Sequence, residues 1–306
     1  MNLSRLANFS LLLATLGLAL GGCSVRQAAL HYMGNAIAQE STAFSSDDDP
    51  ELIRAAAPFS LKLIDSLLAE NPAHKGLLLA GSRGYTQYAY AFVQQEAEEA
   101  EERELTKAMH LQDRARRLYR RARDYGLRGL GLGRPDLIRH LRDEPKHAVA
   151  TLGSTDVPLL YWTAVSWGAL IALSKENPET LAELPIMEAM IDRALELDES
   201  FEHGAIHTFM IGYETVRQGR PGDPAERALE HFLRAMNLSG GQDAAPLLAL
   251  AEAVYVRQQR RAEFEALLQQ ALRLDTERSS ENRLAVVVAQ RRARWLLSRT
   301  DHLFTN

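Results

Sequence analysis

Apolar residues recur along most of this chain at intervals of three and four, as in Leu61, Ile64, Leu67 and Leu68. That spacing lines one face of an α-helix. No segment alternates apolar and polar residues as a half-buried strand would. Even Val286-Val287-Val288 lies in a helical frame that continues through Trp295 to Leu297. Helix starts are written three times as a capping residue followed by proline: Asp49-Pro50-Glu51, Asn177-Pro178-Glu179 and Asp223-Pro224-Ala225-Glu226. The capping oxygen satisfies a first-turn N–H, and proline lacks the N–H that would be unpaired there. In the third case Glu226 stands where a capping box places its acid. The predicted fold class is all-α.

Three predicted helices end alike, in Ala194-Leu195-Glu196-Leu197-Asp198, Ala235-Met236-Asn237-Leu238 and Ala271-Leu272-Arg273-Leu274-Asp275. Seven residues before each alanine stand Met187, Ala228 and Phe264; three before it stand Ile191, Phe232 and Leu268. The pattern resembles the second helix of a tetratricopeptide repeat, in which a small residue lets paired helices approach and large ones fill the groove. Leu67-Leu68-Ala69-Glu70-Asn71-Pro72 is a more degenerate helix end of the same kind. Stacked antiparallel helical hairpins, tetratricopeptide-repeat-like, are therefore predicted over residues 45–306, with generic helical hairpins as the alternative.

The N-terminus has a different character. Arg5 precedes an apolar run from Phe9 to Leu20, the layout of a cleavable signal sequence and too short for a comfortable membrane span. Leu20-Gly21-Gly22-Cys23 resembles the lipobox of bacterial lipoproteins. That resemblance implies cleavage before an acylated Cys23, which makes 1–22 a lipoprotein signal peptide and 23–44 a lipid-anchored tether. Ser24 in the next position matches the outer-membrane sorting choice. An ordinary secretory signal with an incidental cysteine is the alternative. Cys23 is the one cysteine in 306 residues, so no internal disulfide is available and packing alone must stabilise the chain. A formal charge of −5 argues against a nucleic-acid partner.

Charge is segregated within Gln94 to Arg123. Six glutamates between Glu96 and Glu104 precede six arginines between Arg114 and Arg123. Either this is a solvated, dipole-matched helix surface, or the chain turns near residue 103 and the two stretches pair across a hairpin. His203 and His207 are spaced to share a helical face, but Gly204 stands where a zincin has its glutamate, so no metal is assigned. Gly126, Gly129, Gly131 and Gly133 follow a predicted helix and end in Pro135, which reads as a C-cap and turn rather than a dinucleotide loop. No nucleophile elbow is present, no cofactor is implied, and the chain reads as a non-enzyme.

Aromatic residues offer the strongest candidate site. The helix containing Tyr161, Trp162 and Trp167 is apolar nearly all round, and Tyr85, Tyr88 and Phe92 form a second stripe at i, i+3 and i+7. Two readings stay open: plain core packing, or an apolar groove that binds a ligand.

Several segments carry a family resemblance: Asp49-Pro50-Glu51-Leu52-Ile53-Arg54, Pro58-Phe59, Asn71-Pro72, Tyr85-Thr86-Gln87-Tyr88-Ala89, Arg120 through Leu127, Tyr161-Trp162, Trp167-Gly168, Glu226 through Ala235, and the closing Gln290, Arg291, Ala293 and Leu296-Leu297. Together they resemble the T-component lipoproteins (TatT) of tripartite ATP-independent periplasmic, or TRAP, transporters. The resemblance implies a lipid-anchored periplasmic accessory protein that binds a TRAP-type periplasmic solute-binding protein, with an apolar small molecule as a further ligand. No catalytic residues come with it. The rival reading is a lipoprotein scaffold for an outer-membrane or pilus machine. The sequence leaves self-association into a homo-oligomer open.

Overall fold

The computed structural model describes residues 34–36, 42–278 and 280–305. The signal sequence, Cys23 and most of the tether lie outside the described residues. Helix α1 (Pro50–Glu70) begins where Asp49 Oδ1 accepts the N–H groups of Glu51 and Leu52, each at 3.0 Å. Its Leu61, Ile64, Leu67 and Leu68 are buried, as their spacing predicts. Helix α2 (Lys75–Tyr88) widens into a π turn over Ala89–Gln94 and resumes as α-helix over Gln95–Ala100. Helix α3 (Leu105–Gly131) follows a turn at 101–104.

Two short helices, α4 (Leu137–Asp143) and α5 (Pro145–Ala150), lead to α6 (Val157–Ala172). Then come α7 (Leu184–Leu197), α8 (Phe201–Glu214), α9 (Pro224–Leu238), α10 (Ala245–Leu250, extended by a π turn over Ala251–Tyr255), α11 (Arg261–Leu272) and α12 (Arg283–Ser298). No strand occurs among the described residues.

Most helices adjacent along the chain pack on one another, α1 on α2, α2 on α3, α6 on α7, α8 on α9, α10 on α11 and α11 on α12, and α3 packs on α6 across the two short helices between them. The result is a stack of helical hairpins, and the repeat positions explain its spacing. Ala194, Ala235 and Ala271 are fully buried, and so are Met187, Ile191, Ala228, Phe264 and Leu268. The series ends by returning to its start, because α12 packs against α1.

Several local expectations are corrected. Asn177 does cap a helix, its Oδ1 accepting the Thr180 N–H at 3.1 Å, but that helix is a single turn, and the longer α7 starts at Leu184. The glycine run is not all turn. Gly126 and Gly129 lie inside α3, where a Cβ on Gly126 would sit 2.0 Å from Thr163 Oγ1 of α6 and one on Gly129 would sit 2.8 Å from Leu159. They allow α3 and α6 to touch. Only Gly133, at φ +72, adopts the left-handed geometry of a helix stop.

The acidic and basic stretches do separate at a turn, yet they do not pair with each other. Glu98, Glu99 and Glu102 face arginines of the C-terminal region, and Glu96 is held by Arg54 and Lys107. Finally, Glu202, His203 and Gly204 all have positive φ, so His203 and His207 do not share a regular helical face.

Candidate functional site

Helix α6 is apolar on every side because it is surrounded: α2, α3, α7 and α8 all pack against it. Its Tyr161, Trp162 and Trp167 are buried in one core cluster with Met187, Met190 and Ile206. The stripe on α2 is equally buried, but Tyr85, Tyr88 and Phe92 belong to a second cluster with Tyr119 and Ala122. The structure thus gathers each aromatic set without joining the two into one pocket.

Polar partners distinguish the six rings. Trp167 Nε1 donates to Glu183 Oε2 at 2.7 Å, and Arg123 stacks on the indole while donating to the same carboxylate at 3.1 Å. The Tyr85 hydroxyl donates to Asp65 at 2.9 Å and accepts from Arg121 at 3.1 Å, with the Arg121 guanidinium 5.2 Å from the ring centroid. Arg114 donates to the Tyr88 hydroxyl and lies over its ring. Arg54 covers Phe92, and Arg83 covers Trp162.

Five of the six rings therefore carry an arginine on one face, a favourable cation–π arrangement. This is where Arg114, Arg121 and Arg123 are used. The spacing of Arg114 and Arg121 along α3, opposite the tyrosines of α2, was the available signal, and charge alone concealed it.

Tyr161 is the exception. Its ring packs edge-on against Trp162 at 5.0 Å and near Phe201 at 5.3 Å. Burial drives its phenol far above the ordinary tyrosine range, and the carboxylates of Glu202 and Asp243 push the same way. Asp243 is itself raised by burial, although its side chain keeps partial exposure.

A second group behaves alike. Tyr90 is 47% exposed, yet desolvation, with Glu252 adding to it, pushes its phenol up to about 12. Glu252 is raised by desolvation and held by Arg292 at 2.6 Å. Sequence reasoning missed Tyr90, Glu252 and Arg292. The two π turns, at Ala89–Gln94 and Ala251–Tyr255, supply Tyr90 and Glu252, and such turns often mark functional positions.

Two buried polar joints complete the picture. Glu214 of α8 is fully buried and accepts hydrogen bonds from Arg217 at 3.1 Å and Arg227 at 2.5 Å. Burial alone would raise its carboxyl; the two arginines outweigh that and hold it below the usual range. Nearby, His207 Nδ1 lies 2.8 Å from His231 Nδ1, and His207 Nε2 lies 3.3 Å from Glu199. Burial pushes His231 down to about 4 and lowers His207 as well, the latter against the pull of Glu199. Among the described residues no group of three or more His, Cys, Asp or Glu is placed to hold a metal ion.

Comparison with known proteins adds two findings. The family model described as TRAP transporter T-component matches residues 46–304. An uncharacterized protein of Treponema pallidum (strain Nichols) is 31% identical over 265 residues, spanning 85% of this chain and 82% of that protein.

Proposed function

The chain belongs to the TRAP transporter T-component family, and from that premise we propose that it is a lipid-anchored periplasmic accessory protein that docks a TRAP-type solute receptor. The match over residues 46–304, nearly the whole helical stack, carries this reading. Membership makes it an accessory component of a TRAP transport system. The finer assignments are the receptor as partner, an apolar small molecule as ligand, and anchorage to the outer membrane through Cys23.

Physical features support them. Stacked hairpins present extended surfaces that suit a protein partner better than a compact reaction centre does. Leu52 and Phe59 on α1 and Leu229 and Leu233 on α9 keep large apolar side chains exposed, and anchors of that kind favour protein contact. The tether raises the local concentration of the domain for a co-localised soluble receptor. No helix among the described residues is long and apolar enough to cross a membrane. An apolar ligand would be met either by Tyr161, Trp162 and Trp167 or by Tyr85, Tyr88 and Phe92, since the two sets lie in separate cores.

The test of docking is sedimentation and calorimetry of the purified protein with a solute receptor encoded beside it. Association at micromolar concentration or tighter is expected, with modest salt dependence. Absence of binding at high micromolar concentration, with crosslinking in cells to an assembly machine instead, would replace this reading by the scaffold role. For the anchor, Cys23→Ser should abolish fatty-acid labelling and leave the unprocessed precursor. A free thiol on Cys23 in the mass spectrum of the wild-type protein would refute it.

A further inference from the structure

Helix α3 is basic within an acidic protein. Eight of its residues are Lys or Arg and two are Asp, while the whole chain carries a formal charge of −5. Ala115, Tyr119, Ala122 and Gly126 bury one side of the helix. Arg114, Arg117, Arg121 and Arg128, at i, i+3, i+7 and i+14, share the opposite side, with Arg120 on its flank, and all five are exposed. At the rise of an α-helix the row is about 21 Å long. Lys62 of α1 adjoins it: its Nζ lies 2.6 Å from Asp65 Oδ2, the oxygen that Arg121 Nη1 approaches at 3.2 Å.

Three carboxylates border this surface, and each is already paired. Asp65 is shared by Lys62 and Arg121, Asp113 pairs with Arg116, and Asp124 pairs with Arg123. Arg114, Arg117, Arg120 and Arg128 are left without a carboxylate among the described residues. Arg114 and Arg128 lie over the rings of Tyr88 and Tyr125, and donate to the Tyr88 hydroxyl and to Pro72 O. A guanidinium has five N–H donors, so both are held in place with most of their donors unused. Arg117 and Arg120 make no hydrogen bond or ion pair among the described residues. A merely solvated helix face interleaves both signs and laces them together. This one does not.

We propose that this face of α3, together with Lys62, lies against the anionic phospholipid surface of the membrane to which the chain is tethered. The proposal rests on anchorage through Cys23. From Cys23 to Pro50 the chain can extend at most about 95 Å, which keeps the helical stack within reach of that surface. An anionic bilayer repels the acidic protein as a whole and attracts its one cationic face, so contact is made in a single orientation. Lipid phosphates accept paired guanidinium N–H groups, and a basic patch makes stable an attachment that a single acyl chain leaves marginal. Helix α9 packs on α8 and α10 rather than on α3, so its exposed Leu229 and Leu233 stay open to a protein partner while α3 meets lipid.

Vesicle co-sedimentation tests this on the mature chain begun at Ser24, which keeps every described residue and carries no acyl group. The vesicles are phosphatidylcholine alone, or phosphatidylcholine with about a third phosphatidylglycerol. Binding to the anionic vesicles only is expected. It should disappear as salt rises from about 0.1 to about 1 M, which cuts the screening length from roughly 10 to roughly 3 Å.

Each cation near such a surface strengthens binding about fivefold. Arg117→Glu with Arg120→Glu, two side chains that hold nothing else, should therefore weaken it at least about thirtyfold. Arg117→Lys with Arg120→Lys should bind like the wild type. Arg273→Glu with Arg294→Glu changes the net charge equally at exposed sites on the far side of the chain, and should leave binding nearly intact. Three outcomes would overturn the proposal: no preference for anionic vesicles, a preference that survives reversal at 117 and 120, or equal loss in the 273 and 294 pair. Reversal that spares the vesicles but abolishes receptor association would give the face to an acidic protein surface instead. Acylation of Cys23 is read separately by fatty-acid labelling, so failure of the anchor and failure of the face remain distinct results.

Discussion

Replacing Glu214 by alanine is expected to lower the stability of the protein by about 3 kcal/mol, the low end of what removing one partner of a buried ion pair costs. The carboxylate is fully buried between Arg217 and Arg227. Arg217 would keep Asp192, but Arg227 would retain only the carbonyls of Pro221, Gly222 and Glu214. A buried guanidinium without a counter-charge is the main source of the loss.

The effect also has a pH signature. The folded carboxyl titrates below its ordinary 4.5, so its contribution is complete above that value and fades as pH falls through the folded pKa. The gap between wild type and Glu214→Gln, measured by urea unfolding, should be flat from about pH 6 to 8 and narrow below about pH 4.5. A gap that widened on acidification would show that the arginines do not stabilise the ionised form.

Gly126→Ala is expected to be comparably damaging, against the usual benefit of alanine in a helix. Propensity favours alanine by about 1 kcal/mol. The added methyl, however, would sit 2.0 Å from Thr163 Oγ1 and 3.0 Å from Ser82 Oγ. Forcing apart α2, α3 and α6 in a packed core costs about 3 kcal/mol or more, so the net loss is about 2 kcal/mol. Gly131→Ala is the matched control: its nearest neighbour would be Ile138 Cγ1 at 3.6 Å, and stability should hold or rise slightly. Thr163→Ala added to Gly126→Ala should recover part of the loss, which a double-mutant cycle would measure. Equal behaviour of the two glycine variants would mean that α3 and α6 yield freely.

These two cases also show what the sequence could and could not reveal. Local rules read well: Asp49 and Asp223 cap the helices they precede, and the alanine of each repeat-like ending is buried at a helix contact. The all-α hairpin stack followed from them. Gly126 was misread as part of a turn because a glycine at a helix stop and one at a helix crossing look identical until the second helix is in place. The glutamates after Gln95 were assigned to solvent or to nearby arginines because their partners stand nearly two hundred residues downstream. His203 and His207 failed for a backbone reason, since three successive residues of positive φ interrupt the helix on which their spacing depends. Tyr90 carried no signal at all: its neighbours Ala89 and Phe92 are ordinary core residues.

The π turn of α2 acts as a phase shifter. Its widened ring, closed by the Gln95 N–H donating to Tyr90 O, accommodates one residue more than an α turn would. Each residue advances an α-helix by about 100°. Everything beyond Gln94 is therefore rotated by about that angle from the direction the aromatic stripe would otherwise impose. Tyr85, Tyr88 and Phe92 point into the core of the first hairpins, while Glu98 and Glu99, on the same continuous helix, point at α12. A single-residue deletion within Ala89–Gln94 would leave a well-formed helix of nearly unchanged length, with its acidic row turned away from every arginine it now meets.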